Sequence, residues 1–199
     1  MSGLTVVGIA GSPRAGGNSD RLLAEFLAGV ASEGVATRSV AARDLVFTAC
    51  DGCGACSSTG ECVHSDDATD FLSELDAAAG LVIASPVYFA GVPAVLKALI
   101  DRMQPCWSRT YRLGAPRGAK RPGAFILVGG GGDPFGTTGA EATLTSAMQV
   151  CGFSADVRLR HLGLDAPTDA QARPDLLAQV RSEGAAFAAR VRERSGGAF

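Results

Sequence analysis

The chain has 199 residues, 47% of them hydrophobic and 19% charged, with a formal net charge of -2. That length suits one domain able to bury a core on both faces of a sheet, and the balance excludes intrinsic disorder and a polyanion-binding surface, so no nucleic-acid partner is expected. Residues 1–5 lack the basic and long apolar regions of a signal peptide, and the uncharged stretch 77–96 is broken by Pro86 and Pro93; a cytoplasmic location, reduced thiols and no membrane partner are the expectation.

The first predicted strand covers residues 4–10, β-branched and apolar, and ends at Gly11-Ser12-Pro13. A helix follows, with Leu22, Leu23, Phe26, Leu27 and Val30 at helical spacing and Asn18 or Ser19 as its N-cap. Next come a strand at 35–40, an irregular cysteine-bearing loop, a helix at 67–79 and a strand at 81–85. A helix at 94–103, a strand at 124–128, a helix at 140–151, a strand at 155–162 and a helix at 172–194 complete the pattern. Residues 1–194 thus read as a single domain and the Gly-rich residues 195–199 as a flexible tail. Alternation of strand and helix requires a parallel sheet with right-handed crossovers and helices on both faces, and such sheets bind ligands beyond the carboxyl ends of their strands.

Three predicted loops meet at that edge. In residues 11–19, Ser12, Asn18 and Ser19 supply short donors, the helix N-terminus supplies backbone N–H groups, and Arg14 can neutralise a dianion. The loop reads as a phosphate cradle, with an ordinary βα turn as the alternative, and is neither a dinucleotide fingerprint nor a Walker loop. Ser85-Pro86-Val87-Tyr88-Phe89 forms a stiff, partly aromatic loop suited to a flat ring, and Gly129-Gly130-Gly131-Gly132-Asp133 permits close approach of backbone to a planar ligand.

The motifs Gly11-Ser12-Pro13-Arg14 with Asn18-Ser19, Ser85-Pro86-Val87-Tyr88, and the run 97–102 resemble the NADPH-dependent FMN reductase superfamily. The resemblance implies a flavodoxin-like doubly wound sheet of five parallel strands in the order 2-1-3-4-5, binding FMN. It puts Ser12, Arg14, Asn18 and Ser19 on the phosphate, Pro86, Val87, Tyr88 and Phe89 along the ring edge and ribityl chain, and Gly130, Gly131, Gly132 and Asp133 on the other side of the ring. It also implies a homodimer or homotetramer. Lys97, Asp101 and Arg102 read as a structural charge group on a helix.

Four of the six cysteines, Cys50, Cys53, Cys56 and Cys62, fall within thirteen residues. Three thiolates at two-residue gaps with a fourth farther on can wrap a [4Fe-4S] cluster; zinc and a loop of plain reduced thiols are the alternatives. The spacing is similar to that of the iron-sulfur flavoproteins, a branch of the same superfamily whose cluster relays electrons to FMN. Cys106 and Cys151 read as packing residues, and His161 as structural.

FMN carries the redox chemistry, so no catalytic acid or base is demanded; His64, beside the cysteine loop, reads either as a proton donor to a reduced acceptor or as a surface group. The segment 105–122 holds Trp107, Tyr111, Arg109, Arg112, Arg117, Lys120 and Arg121 without an acid, which suggests recognition of an NADPH phosphate, an acidic acceptor, or a lid over a flavin. The leading expectation is an enzyme taking electrons from NAD(P)H through FMN to a small-molecule acceptor such as a quinone, nitro compound, flavin or oxygen. The others are an electron carrier fed by a ferredoxin-like donor through a cluster, and a non-redox binding module with a zinc-held loop.

Overall fold

A computed structural model describes residues 3–116 and 118–196. Five strands, β1 (Thr5–Ala10), β2 (Ala36–Ala41), β3 (Gly80–Pro86), β4 (Gly123–Gly129) and β5 (Val157–Leu162), pair in parallel in the order β2-β1-β3-β4-β5. The helices are α1 (Asn18–Ser32), α2 (Cys56–Thr59), α3 (Asp67–Ala77), α4 (Ala94–Asp101), α5 (Gln104–Tyr111), α6 (Thr138–Val150) and α7 (Pro174–Gly196).

Period-two alternation within the inner strands feeds two cores at once. Val7, Ile9, Leu81, Ile83, Phe125 and Leu127 pack toward α3, α4, α5 and α6. Val6, Ala10, Val82, Ala84, Ala124 and Ile126 pack toward α1 and α7. Strands buried on both faces read as continuous apolar runs, which is why β1, β3 and β4 are legible in the sequence. The α1–α7 layer closes through two glycines: a Cβ on Gly29 would stand 1.9 Å from the Arg181 carbonyl oxygen, and one on Gly184 2.0 Å from that of Phe26.

Strand order reverses between β1 and β3, and there the loops that follow them open side by side, tied by the Gly11 N–H donating to the Ala84 carbonyl at 2.8 Å. That crevice is where an open α/β sheet accepts ligands.

Several expectations are corrected. The predicted helix at 94–103 stops at Asp101, and α5 begins at Gln104 with Pro105 in its first turn, where a missing N–H costs nothing. Asn18 and Ser19 do not cap α1; Gly17 occupies the cap position, and both residues are buried in the first turn. α7 continues through Ser195 to Gly196, so Ser195 is helical, while the expected tail residues 197–199 lie outside the described residues, as does Arg117. Among the described residues no helix is long and apolar enough to cross a membrane.

Candidate functional site

A cleft of about 300 Å³ opens at the switch point. One end is the β1–α1 loop and the N-terminus of α1, contributing Ser12, Arg14, Gly17, Asn18 and Ser19. The Ser12 hydroxyl accepts from the Arg14 N–H at 3.0 Å, and the Gly16 N–H donates to the Asp20 carboxylate at 2.9 Å. Arg43, just beyond β2, clamps this loop from behind: it donates to the Ser12 carbonyl at 3.0 Å and pairs with Asp20 at 2.9 Å. Neither Arg43 nor Asp20 carries a sequence signal, since only the parallel pairing of β1 with β2 brings residue 43 beneath residue 12.

Asn18 lines the cleft, yet its side chain is committed elsewhere. Its amide nitrogen donates to the Ala166 carbonyl at 2.8 Å, and its amide oxygen accepts from the Ala170 N–H at 2.9 Å. It thereby holds the loop after β5 in place, and Leu164, Asp165 and Pro167 become a further wall of the cleft that sequence reasoning missed.

At the other end stand Pro86, Val87 and Tyr88, with Gly129 and Gly130 facing them. The Val87 N–H donates to the Val128 carbonyl at 2.7 Å, and Tyr88 and Gly91 exchange two bonds of 2.9 Å around a tight turn. Phe89 and Ala90 in that turn have φ of 50° and 59°, left-handed values that side chains disfavour. The Ala90 carbonyl accepts from the Ala140 N–H at 2.7 Å, anchoring the turn on α6. A Cβ on Gly130 would lie 2.8 Å from an Asp165 carboxylate oxygen, so a side chain there would displace that exposed carboxylate.

Of the predicted cofactor residues, Ser12, Arg14, Asn18, Ser19, Pro86, Val87, Tyr88 and Gly130 share this cleft. Phe89, fully exposed, does not line it, nor do Gly131, Gly132 and Asp133. Those last three continue past the cleft in a turn where Gly131 and Gly132 have positive φ and the Asp133 carboxylate accepts from the Phe135 N–H at 2.8 Å. A phosphate-sized anion at the positive end of α1 with a flat ring between residues 86–88 and 129–130 fits the donors and shape present.

All four loop cysteines, Cys50, Cys53, Cys56 and Cys62, line a second cavity of about 270 Å³, together with Asp51, His64, Arg102 and Trp107. Its floor is Arg102, whose side chain has no solvent exposure. Arg102 donates to the Asp66 carboxylate and the Thr48 carbonyl, each at 2.7 Å, and to the Thr69 hydroxyl at 2.9 Å, leaving its Nε without a partner. The hydrogen bond from Arg102 holds the Asp66 carboxyl down at about 2. Asp66 also caps α3, accepting from the Thr69 N–H at 3.3 Å, and takes the Thr48 N–H at 3.1 Å, so both ends of the cysteine loop are stapled to one helix terminus. From α5, the Ser108 hydroxyl donates to the Cys56 sulfur at 3.4 Å.

Among the described residues no three His, Cys, Asp or Glu side chains are grouped to hold a single metal ion. Four thiols lining one cavity over a buried cation are soft donors of the kind that an iron-sulfur cluster or zinc takes. Lys97 and Asp101 form the expected i,i+4 pair at 2.7 Å.

The basic segment is less available than its composition suggests. Arg109 pairs with Asp76 at 2.9 Å, Arg112 lies over the Trp107 ring at 5.5 Å, and Arg121 donates to the carbonyls of Leu75, Asp76, Ala78 and Cys151.

Comparison with known proteins agrees with this geometry. A family model described as NADPH-dependent FMN reductase matches residues 4–155. An iron-sulfur flavoprotein of Methanocaldococcus jannaschii is 41% identical over 102 residues, 51% of this chain and 53% of that protein. One of Methanosarcina thermophila is 33% identical over 127 residues, 64% of each chain. The chain therefore spans less than two thirds of the length of these relatives. Among solved structures, a flavone reductase superposes with a TM-score of 0.71 at 15% identity, covering 96% of this chain and 64% of that one. An NAD(P)H:quinone oxidoreductase from Methanothermobacter marburgensis gives 0.69 at 16%, covering 92% and 96%. At such identities these likenesses speak for the flavodoxin-like fold.

Proposed function

The chain belongs to the NADPH-dependent FMN reductase family, and from that premise we propose an FMN-dependent oxidoreductase in which a [4Fe-4S] cluster on the cysteine loop and FMN in the switch-point cleft act in series toward a small-molecule acceptor. The observation that carries the reading is that all four cysteines line one cavity floored by a buried arginine.

Bound FMN supplies a ring able to exchange electrons singly or as hydride. The backbone N–H groups at the start of α1, with Ser12, Ser19 and Arg14, hold its phosphate, and Pro86, Val87, Tyr88, Gly129 and Gly130 orient its ring. Cys50, Cys53, Cys56 and Cys62 hold the cluster, and the fixed charge of Arg102 offsets the negative charge that thiolates gather in a half-buried loop. Tyr88, half exposed at the cleft, leaves a face on which an acceptor can stack. Assembly as a homodimer or homotetramer is part of the proposal, supported by the exposed aromatic side chains of Phe89 and Phe135.

A second reading, an NAD(P)H-fed FMN reductase whose loop thiols carry no cluster, is favoured by the exposure of Cys50 and Cys53. A ferredoxin-like donor belongs to the first reading, direct hydride donation by NAD(P)H to the second. The visible spectrum of anaerobically purified protein, with iron and acid-labile sulfide assayed on the same sample, separates them. Flavin bands with cluster absorbance and about four irons per chain are expected. Flavin without iron selects the second reading, and no flavin after addition of FMN rejects both.

A further inference from the structure

Neither site uses the two remaining cysteines, Cys106 on α5 and Cys151 at the end of α6. Both line a third cavity, of about 400 Å³, together with Asp76, Arg109, Lys120 and Arg121. Each is almost fully shielded from bulk solvent, so the cavity is the approach to their sulfurs. The Arg109 guanidinium donates to the Cys106 sulfur at 3.4 Å while also pairing with Asp76. Arg121 donates to the Cys151 carbonyl at 2.8 Å, fixing the backbone that carries the second thiol.

The two thiols line the same cavity with the Arg109 guanidinium on the Cys106 sulfur; their mutual interaction first, and then the Arg109 charge, pulls Cys106 below the ordinary thiol range, while Cys151 is pushed up. Such a pair divides the labour of thiol exchange, one sulfur poised as nucleophile and the other kept protonated. Among the described residues the charged side chains lining the cavity are three cations against one carboxylate, and Arg121 donates to carbonyls and lies over the Phe153 ring, so the cavity has positive charge left for an anion.

We propose that Cys106 and Cys151 form a thiol–disulfide exchange site for a small disulfide bearing carboxylates. The Cys106 thiolate attacks one sulfur of the bound disulfide, whose S–S bond breaks and whose other half leaves as a thiolate that takes up the Cys151 proton. Cys151 then attacks the Cys106 sulfur of the mixed disulfide and releases the second half, which is protonated from solvent. Two protein thiols are oxidised to one disulfide joining α5 to α6, and the small disulfide is reduced to two thiols.

The flavin-loaded protein, reduced and freed of reductant, is exposed to oxidised glutathione or to the uncharged 2-hydroxyethyl disulfide, then alkylated and mapped by peptide mass. The expected result is a Cys106–Cys151 link formed roughly tenfold faster with the anionic probe, the advantage one charge-assisted hydrogen bond gives. Cys151→Ser, with Cys151→Ala as a second form in case burial of the hydroxyl harms folding, should accumulate glutathione on Cys106. No link with either probe, equal rates for the two, or glutathione absent from Cys106 in both variants overturns the proposal. Peptide mapping keeps the four loop cysteines apart from this result, so the outcome is independent of whether they carry a cluster.

Discussion

At the scale of single residues, the structure reassigns side chains whose type alone suggested ligand contact. Asn18 looks like a phosphate donor by position, but its amide secures the loop after β5. Asn18→Ala is expected to cost about 2 kcal/mol, because it strands buried backbone groups, and to weaken FMN binding by releasing the wall formed by Leu164, Asp165 and Pro167. Urea denaturation and a flavin-fluorescence titration check the two effects; unchanged FMN affinity would mean that this wall is not part of the site. Asp66 gives a pH prediction. The hydrogen bond from Arg102 depresses its carboxyl from the ordinary carboxylate range to about 2, so the ionised form stabilises the fold fully above about pH 4, and that contribution fades as pH falls through 2. The urea midpoint of the parent protein should drop over that window more steeply than that of Asp66→Asn, which has no such proton to bind.

At the scale of elements, helix packing and one turn set the constraints. α1 and α7 cross at Gly29 and Gly184, where an added methyl would meet carbonyl oxygens of the opposing helix. Gly29→Ala and Gly184→Ala should each lower stability by about 2–3 kcal/mol from overpacking, overriding the roughly 1 kcal/mol that alanine contributes in a helix. Thermal denaturation with the opposite sign would show that the helices are free to move apart. In the 88–91 turn, Phe89 combines φ of 50° with a fully exposed side chain, so nothing in the described chain repays its strain. Phe89→Gly should therefore raise stability by about 1 kcal/mol, and a simultaneous loss of acceptor reduction or of self-association would place the function of the ring outside its own fold. Strands β1, β3 and β4 were legible because burial on both faces makes them uninterrupted apolar runs. α5 was not, because a proline, a serine, a threonine and an arginine in eight positions hide a helix whose buried face is Pro105, Cys106 and Ser108.

At the scale of the whole molecule, the cysteine loop is an attachment stapled to α3 and α5 rather than part of either core. Replacing Cys50, Cys53, Cys56 and Cys62 together by Ser should leave FMN binding and the far-ultraviolet spectrum unchanged while removing iron and cluster absorbance. Loss of flavin in that variant would mean that the loop is needed to build the cleft.

The sequence by itself determined the parallel alternating architecture, since apolar runs of strand length separated by helical periodicity admit few other packings. It also pointed to the two candidate sites, because a Ser- and Gly-rich turn before a helix and a tight cysteine cluster are local patterns. Only the tertiary structure decided which side chains reach those sites. Arg43 beneath the phosphate loop, Arg102 under the cysteines, Asp165 against Gly130 and Cys151 against Cys106 all join positions at least 29 residues apart. Such partners are chosen by strand register and helix crossing, which depend on the packing of the whole core and leave no periodic trace in the chain.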